Sequence, residues 1–354
     1  MARILVICGG DNAERRVSLS GGDAVARGLA NSGHEAWKLD TATPEQIVPH
    51  DQPLLDGPVG VTPPGESERA RLSRDGWLRL FDTISDPRWD AVFPLLHGTW
   101  GEGGQIQAVL ELVGKPYLGS DSRASALALD KWRSHQIAQL IEMPVASGQL
   151  LRPIRGNTTS IEKAVRIAVA ATLDNDWGRF SSIHPHPVVL KPNTGGSTVG
   201  ITISSNEQAL HNGVHLILDM SDLPYLEEFV PGREVTVPVI GGKATPMVEI
   251  RPREGYYDYT NKYTKGKTDY LCPAPVADPV QAEAAKLAVH ICEELDCRHV
   301  ARVDFRLTED NRLIFLEVNT IPGMTDLSLV PMSAKQIGLD FPALMNRFVE
   351  LVLG

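Results

Sequence analysis

Cysteine is scarce in this sequence: Cys8, Cys272, Cys292 and Cys297 are the only four in 354 residues. None forms a CxxC pair, which argues against a zinc site and predicts reduced thiols in a cytoplasmic protein. Long apolar runs are missing too, so no stretch reaches the length of a membrane span. The opening "MARILVICGG" has about five apolar residues before a glycine pair, a first strand rather than a signal peptide. Positive charge is in deficit. Lys and Arg number 34 against 44 Asp and Glu, a formal net charge of −10, which argues against nucleic acid or an anionic membrane as the main partner. There is no internal repeat and no low-complexity tract. There is also no Walker A loop, because "TKGKT" at 264–268 has Asn261 where the first glycine should stand.

What is present is enough chain for two or three domains. Strand-then-helix patterns open it: "ARILVIC" and a helix around 18–31, then "DAVFPLLHG" and the helix "GGQIQAVLELVG" closed by Gly114, then "KPYLGS" as a third strand. That alternation implies a parallel sheet with covered faces, whose ligands bind at the carboxyl ends of the strands, where Glu14 and His97 fall. Residues 56–76 read as a Pro/Gly-rich surface segment. From about Ser122 the texture becomes α+β, in a central and a C-terminal unit. "SALALDKWRSHQIAQLIEM" is expected as one helix, "PVVLKP" and "VGITI" as strands around a glycine-rich loop, "PYLEEFVPGREVTVPVIGG" as strands around Pro231-Gly232, and "QAEAAKLAVHICEELDC" as a long amphipathic helix.

Four constellations carry the chemistry. In "RVDFRLTEDNRLIFLEVNTIPGM", two alternating runs predict a hairpin. Closed on Asp310-Asn311, it pairs Thr308 with Leu313, Asp304 with Glu317 and Arg302 with Asn319. Val303, Phe305 and Leu307 then share one face, with Phe315, Glu317 and Asn319 together on the second strand. Facing carboxylates repel by about 3 kcal/mol at roughly 5 Å and an effective dielectric near 20. A divalent cation would convert that repulsion into coordination, with Asn319 adding an oxygen and Arg302 standing by as a fixed cation. "VVLKPNTGGSTVGITI" places Lys191 at a strand end before a loop able to turn N–H groups toward phosphate. "YLEEFVPGRE" clusters Glu227, Glu228 and Glu234, suited to sugar hydroxyls. "GYYDYTNKYTKGKTDYLCPAP" crowds tyrosines and lysines into an irregular segment that would suit a lid. Taken singly, each fits an ordinary surface hairpin, loop or acidic turn as well.

Taken together, "GGDNAERRVSL", "PLLHGTWGEGGQIQ", "GSDSRASALALDKWRS", "VVLKPNTGGSTVG", "EEFVPGREVTV", "YYDYTNKY" and "ARVDF…FLEVNTIPGMTDLSLVPM" resemble, in order and through essentially the whole chain, the D-alanine–D-alanine ligase family of ATP-grasp enzymes. The resemblance implies a Rossmann-like, pre-ATP-grasp α/β domain over 1–121. A two-part ATP-grasp fold follows, central over 122–213 and C-terminal over 214–354 with the metal site and lid loop. It implies ligation of two D-alanines at the expense of ATP through an acyl phosphate, for peptidoglycan synthesis. The expected setting is a cytoplasmic homodimer using Mg²⁺, two ions, with Mn²⁺ as a substitute. Residue by residue, Lys131 and Lys191 resemble the lysines on the ATP phosphates. Glu227, Glu228, Phe229 and Val230 resemble the adenine stretch, Glu234 the ribose ligand and Lys262 the lid lysine. Asp304, Glu317 and Asn319 match the metal ligands. Glu14 resembles the residue binding the first amino group, with His97 nearby, and Ser197 and Tyr263 link with Glu14 to close the lid. Arg302 and the Gly323 N–H match the groups around the tetrahedral intermediate, and Ser328 and Leu329 the acceptor carboxylate site.

The sequence departs from the family pattern at Thr198, where serine is common, at Gly195, where some members are acidic, and at Ile321, often serine. Two alternatives stand beside the dipeptide reading: a D-alanyl-D-lactate or D-alanyl-D-serine ligase, and a catalytically silent nucleotide-binding regulatory protein. The tyrosine of "NKY" favours the dipeptide. The metal carboxylates and Arg302 argue against a silent protein.

Overall fold

The computed structural model describes residues 1–57, 59–60, 64–65, 69, 72–152, 187–196, 198–204, 206–255, 264 and 266–354. Its first sheet has the order β3-β2-β1-β4. The strands are β1 (Arg3–Cys8), β2 (Glu35–Asp40), β3 (Ile47–Pro49) and β4 (Ala91–Pro94). β1 runs parallel to both neighbours, and β3 is an antiparallel edge. Ile4 to Cys8 are wholly buried, because a central parallel strand is covered on both faces; hence the unbroken apolar run. One face packs on α1 (Arg15–Asn31) and, from the far end of the chain, α10 (Phe341–Leu353): Val25 and Leu29 meet Leu344, Met345 and Phe348 over Ile4 and Val6. The other face meets α2 (Arg74–Ser85) and α4 (Gln105–Leu112). Between β4 and α4 lies the short α3 (Gly98–Glu102).

Two expectations for this sheet need correcting. "KPYLGS" adds only a single bridge, Tyr117 to Val92. β2 was not foreseen because Lys38 interrupts it, yet that lysine is fully buried and donates to Asp23 at 2.6 Å and the Gln52 carbonyl at 2.7 Å.

The second sheet, β5-β8-β6-β7, is antiparallel. It comprises β5 (Gly148–Leu150), β6 (Val188–Pro192), β7 (Thr202–Ser204) and β8 (Pro224–Glu228). Leu210, Val214 and Ile217 of α7 (Glu207–Asp219) cover Leu190 and Leu226. The boundary expected at 213/214 falls inside α7, and this sheet continues through Glu228.

The third sheet has the order β12-β11-β9-β13-β14, with β10 on β9. Its strands are β9 (Arg233–Ile240), β10 (Lys243–Ala244), β11 (Val248–Pro252), β12 (Thr268–Leu271), β13 (Val300–Leu307) and β14 (Leu313–Asn319). Three helices cover it: α5 (Ser122–Leu129), α6 (Lys131–Leu140) and α8 (Asp278–Glu294). The single helix expected across α5 and α6 breaks at Asp130, whose side chain accepts the Arg133 N–H and so caps α6. The helix α9 (Leu329–Gln336) follows β14 and precedes α10.

The β13–β14 hairpin closes one residue wider than expected. Thr308 pairs with Arg312 rather than Leu313, and Leu307 faces Leu313. A β-bulge then restores the phase: Phe305 faces Phe315 while Asp304 faces Glu317, leaving Leu316 as the extra residue. Arg302 lies opposite Asn319. The bulge also turns Phe315 away from the Glu317 side and into the core, 6.2 Å from the Phe305 ring.

Candidate active site

Between the second and third sheets lies a cavity of about 560 Å³. Of the residues singled out in the sequence, Lys131, Lys191, Glu227, Glu228, Phe229, Val230, Glu234, Arg302, Asp304 and Glu317 line it. Ser197, Lys262 and Tyr263 lie outside the described residues. Glu14 and His97 gather beside the cavity, at the carboxyl side of the first sheet, and Glu14 approaches the glycine loop at Gly196. Asn319 ends β14, and Gly323, Ser328 and Leu329 follow it. The Ser328 hydroxyl accepts the Thr325 N–H at 2.9 Å, Leu329 begins α9 with its side chain packed on Val248 and Ile250, and the Asn319 side-chain oxygen accepts the Ile321 N–H at 3.0 Å.

Electrostatics in the cleft are balanced from within the chain, which corrects the inference that Asp304 and Glu317 need an outside cation to coexist. The Arg302 guanidinium donates to both oxygens of Asp304, at 2.9 and 2.7 Å, and Thr236 donates to the same carboxylate at 2.5 Å. From α6, Lys131 reaches Glu317 at 3.1 Å and the Gly195 carbonyl at 2.7 Å. Burial works against the Lys131 charge, but Glu317 outweighs it and holds the ammonium pKa above its ordinary value. Lys191 pairs with Glu227 at 2.6 Å. Asp304, Glu317 and Glu227 thus each sit against a cation.

Several residues of the site went unnoticed in the sequence. Arg306 braces the β8–β9 connection, donating to the Val230 and Gly232 carbonyls at 3.2 and 2.5 Å. Gly232 is required there, at φ +140°, since a Cβ would strike the Leu307 carbonyl. Glu249, buried on the wall, is held by Arg233 at 3.0 Å and Arg251 at 2.8 Å. His135 spans Tyr225 and the bulge: its Nδ1 lies 3.0 Å from the Tyr225 hydroxyl and its Nε2 2.8 Å from the Leu316 carbonyl. A carbonyl can only accept, so Nε2 carries the proton and Nδ1 receives the tyrosine's. Burial lowers the ring pKa and keeps it neutral. Finally, Glu102 is buried beside Glu14 and His97, inside the quoted "HGTWGEGG" block. An acid four residues past the first helical glycine was the available signal.

This arrangement, two antiparallel sheets closing on a cleft beside a parallel-sheet unit, has close counterparts. The D-ala D-ala ligase N-terminus family matches residues 3–120, and the D-ala D-ala ligase C-terminus family matches 173–350. The chain belongs to the D-alanine–D-alanine ligase family. A D-alanine–D-alanine ligase of Aquifex aeolicus is 34% identical over 347 residues, covering 98% of this chain and 99% of that protein. Among solved structures, a Bacillus anthracis D-alanine–D-alanine ligase superposes with a TM-score of 0.73 at 25% identity, covering 100% of this chain and 98% of that one. The VanG D-Ala:D-Ser ligase of Enterococcus faecalis gives 0.72 at 26% identity, covering 99% of each. The second and third sheets are therefore the two halves of the family's ATP-grasp fold. The departures from the family pattern now have surroundings. The Gly195 carbonyl holds Lys131, Ile321 is buried, and Thr198 adopts φ +63°, unusual for a β-branched residue. No helix among the described residues is long and apolar enough to cross a membrane.

Asp304 facing Glu317, with Asn319 at the end of the same strand, brings carboxylate and amide oxygens to one end of the hairpin, donors of the kind that hard cations such as Mg²⁺ or Mn²⁺ take.

Proposed function

We propose that this protein joins two D-alanines into D-alanyl-D-alanine at the expense of ATP, through an acyl phosphate, for peptidoglycan precursor synthesis. The observation that carries the reading is Asp304 facing Glu317 on the wall of a cavity that Lys131, Lys191 and Arg302 also line. A carboxylate is a poor acyl donor, and phosphorylating it brings two anions together. The site must therefore supply positive charge fixed in place before reaction. Lys131 and Lys191 receive the ATP phosphates in this reading, and Glu227 to Val230 with Glu234 hold the nucleoside, a role supported by their shared lining of the cavity. Asp304, Glu317 and Asn319 would hold Mg²⁺, two ions in this reading, which when bound supplies charge neutralisation on the phosphates.

On the amino-acid side, Glu14 and His97 take the first D-alanine, whose carboxylate oxygen attacks the terminal phosphorus as ADP leaves. The second D-alanine, its carboxylate at Ser328 and the start of α9, attacks the acyl carbon through its free amine. Arg302 and the Gly323 N–H stabilise the tetrahedral oxyanion, and phosphate departs. Ser197, Lys262 and Tyr263 belong to the loops that exclude water from the acyl phosphate. A cytoplasmic homodimer completes the reading.

The D-Ala:D-Ser specificity of one structural relative supports a second acceptor as the alternative. Phosphate release measured in parallel with D-alanine alone, D-alanine plus D-lactate and D-alanine plus D-serine, in excess Mg²⁺ and then with chelator, tests both. The expected result is metal-dependent release with D-alanine alone that the other acceptors do not increase. ATP binding without release in any arm would turn the assignment toward a silent nucleotide-binding protein.

A further inference from the structure

The cluster beside the cavity contains a buried acid to which no role has been given. Glu102 ends α3, is 7% exposed, and accepts the Gly98 N–H at 2.7 Å. The carbonyl of the same His97–Gly98 peptide accepts from the Asn12 amide at 2.6 Å, and the Asn12 oxygen in turn accepts the Glu14 N–H at 2.7 Å. One peptide unit is thus gripped on its oxygen by Asn12 and on its nitrogen by Glu102. The grip joins the backbone of Glu14 to that of His97. The side-chain ligand atoms of Glu14, His97 and Glu102 converge within 4.8 Å of one another.

We infer that Glu102 is a positioning residue of the amino-acid site: it fixes the His97–Gly98 peptide and forms with Glu14 an acidic pair that receives the ammonium group of the first D-alanine. The inference rests on the ligase reading and names a residue that reading leaves out. Two close carboxylates in a buried pocket cannot both ionise cheaply. Burial first, and then the charge of Glu14, push the Glu102 carboxyl up to about 8. Glu317 adds to the rise, while the Gly98 N–H and Lys131 oppose it. Among the described residues of α4 and α5, the two helices packed against α3, the charged groups are taken up elsewhere. Gln107 of α4 donates to the Gly101 carbonyl, Glu111 is taken up by Tyr117 and Ser122, and Arg123 of α5 turns to Asp296. At neutral pH the pair therefore holds one proton and one negative charge, matched to one ammonium. Ionisation of Glu102 adds a second negative charge beside that ammonium, so the KM for D-alanine falls as pH rises through about 8.

Two variants separate holding from ionising. Glu102→Gln keeps an acceptor for the Gly98 N–H and cannot titrate; Glu102→Ala loses both. In the wild type, kcat/KM for D-alanine measured from about pH 6 to about pH 10 should show an ionisation near 8. Glu102→Gln should remove it while leaving the KM for ATP unchanged. Glu102→Ala should raise the D-alanine KM by about tenfold, the scale of one lost hydrogen bond. An ionisation that survives in Glu102→Gln, or an unmoved D-alanine KM in a folded Glu102→Ala, overturns the inference. Carboxyl carbon-13 titration of the free protein reads the same pair without turnover. A glutamate titrating near 8 should vanish in Glu102→Gln and move down in Glu14→Gln, and its absence from the wild type is equally fatal. A wild type that shows this titration but turns over no D-alanine would sink the ligase reading and leave the acidic pair standing.

Discussion

Arg302 grips Asp304 with both prongs of its guanidinium, both groups being largely buried, and in the proposed chemistry it also faces the oxyanion. Removing it strips a buried carboxylate of its cation, and breaking such a pair costs about 3–5 kcal/mol. The Thr236 bond to the same oxygen remains and moderates the loss. Arg302→Ala should therefore lower the denaturant midpoint and also slow phosphate release with D-alanine by on the order of a hundredfold or more, since oxyanion stabilisation is lost. Arg302→Lys should recover most of the stability and little of the rate, because an ammonium cannot reproduce the two-pronged fork. Near-normal turnover in either variant would remove Arg302 from the chemistry.

At the scale of elements, the hairpin is where the sequence was read correctly for an incomplete reason. The alternation of Arg302, Asp304 and Arg306 was legible, and so was the pairing of Asp304 with Glu317. The turn was not, because Thr308 and Asp310 close it through side-chain bonds that a two-residue template omits. The bulge was not legible either. It depends on His135, far away in sequence, whose ring holds the Leu316 carbonyl against Tyr225. Asp130 likewise broke a helix whose apolar spacing runs on past it. Local pattern set the strands, and distant polar partners set their phase. His135→Phe should leave the Leu316 carbonyl without its partner, at a cost of about 1–3 kcal/mol, while the Tyr225 hydroxyl keeps Glu227. It should also change the acid limb of stability. A histidine with a lowered folded pKa stabilises fully above its unfolded value of about 6.5 and loses that contribution progressively as pH falls below it. The wild type should weaken below that point, and His135→Phe should weaken less steeply, with the half-buried His299 contributing to what remains. Chemical denaturation across pH measures both; parallel slopes would exclude His135 as the cause.

At the scale of the whole molecule, the three sheets are not strung out in chain order. α5 and α6, which follow the first sheet, cover the third, and α10 covers the first. α1 and α10 approach so closely at Gly28 that a Cβ there would strike Met345 and Phe341. Phe348→Ala, opening a void in that shared core, should cost about 3–5 kcal/mol by denaturation while leaving the KM for ATP unmoved. A variant of wild-type stability would mean that α10 is an ornament rather than a wall. The same crossing imposes a schedule on biosynthesis. Strands that emerge early from the ribosome must wait, one apolar face only partly covered by α1, for a helix translated far later, and in that interval the nascent chain is open to misassociation and to chaperones.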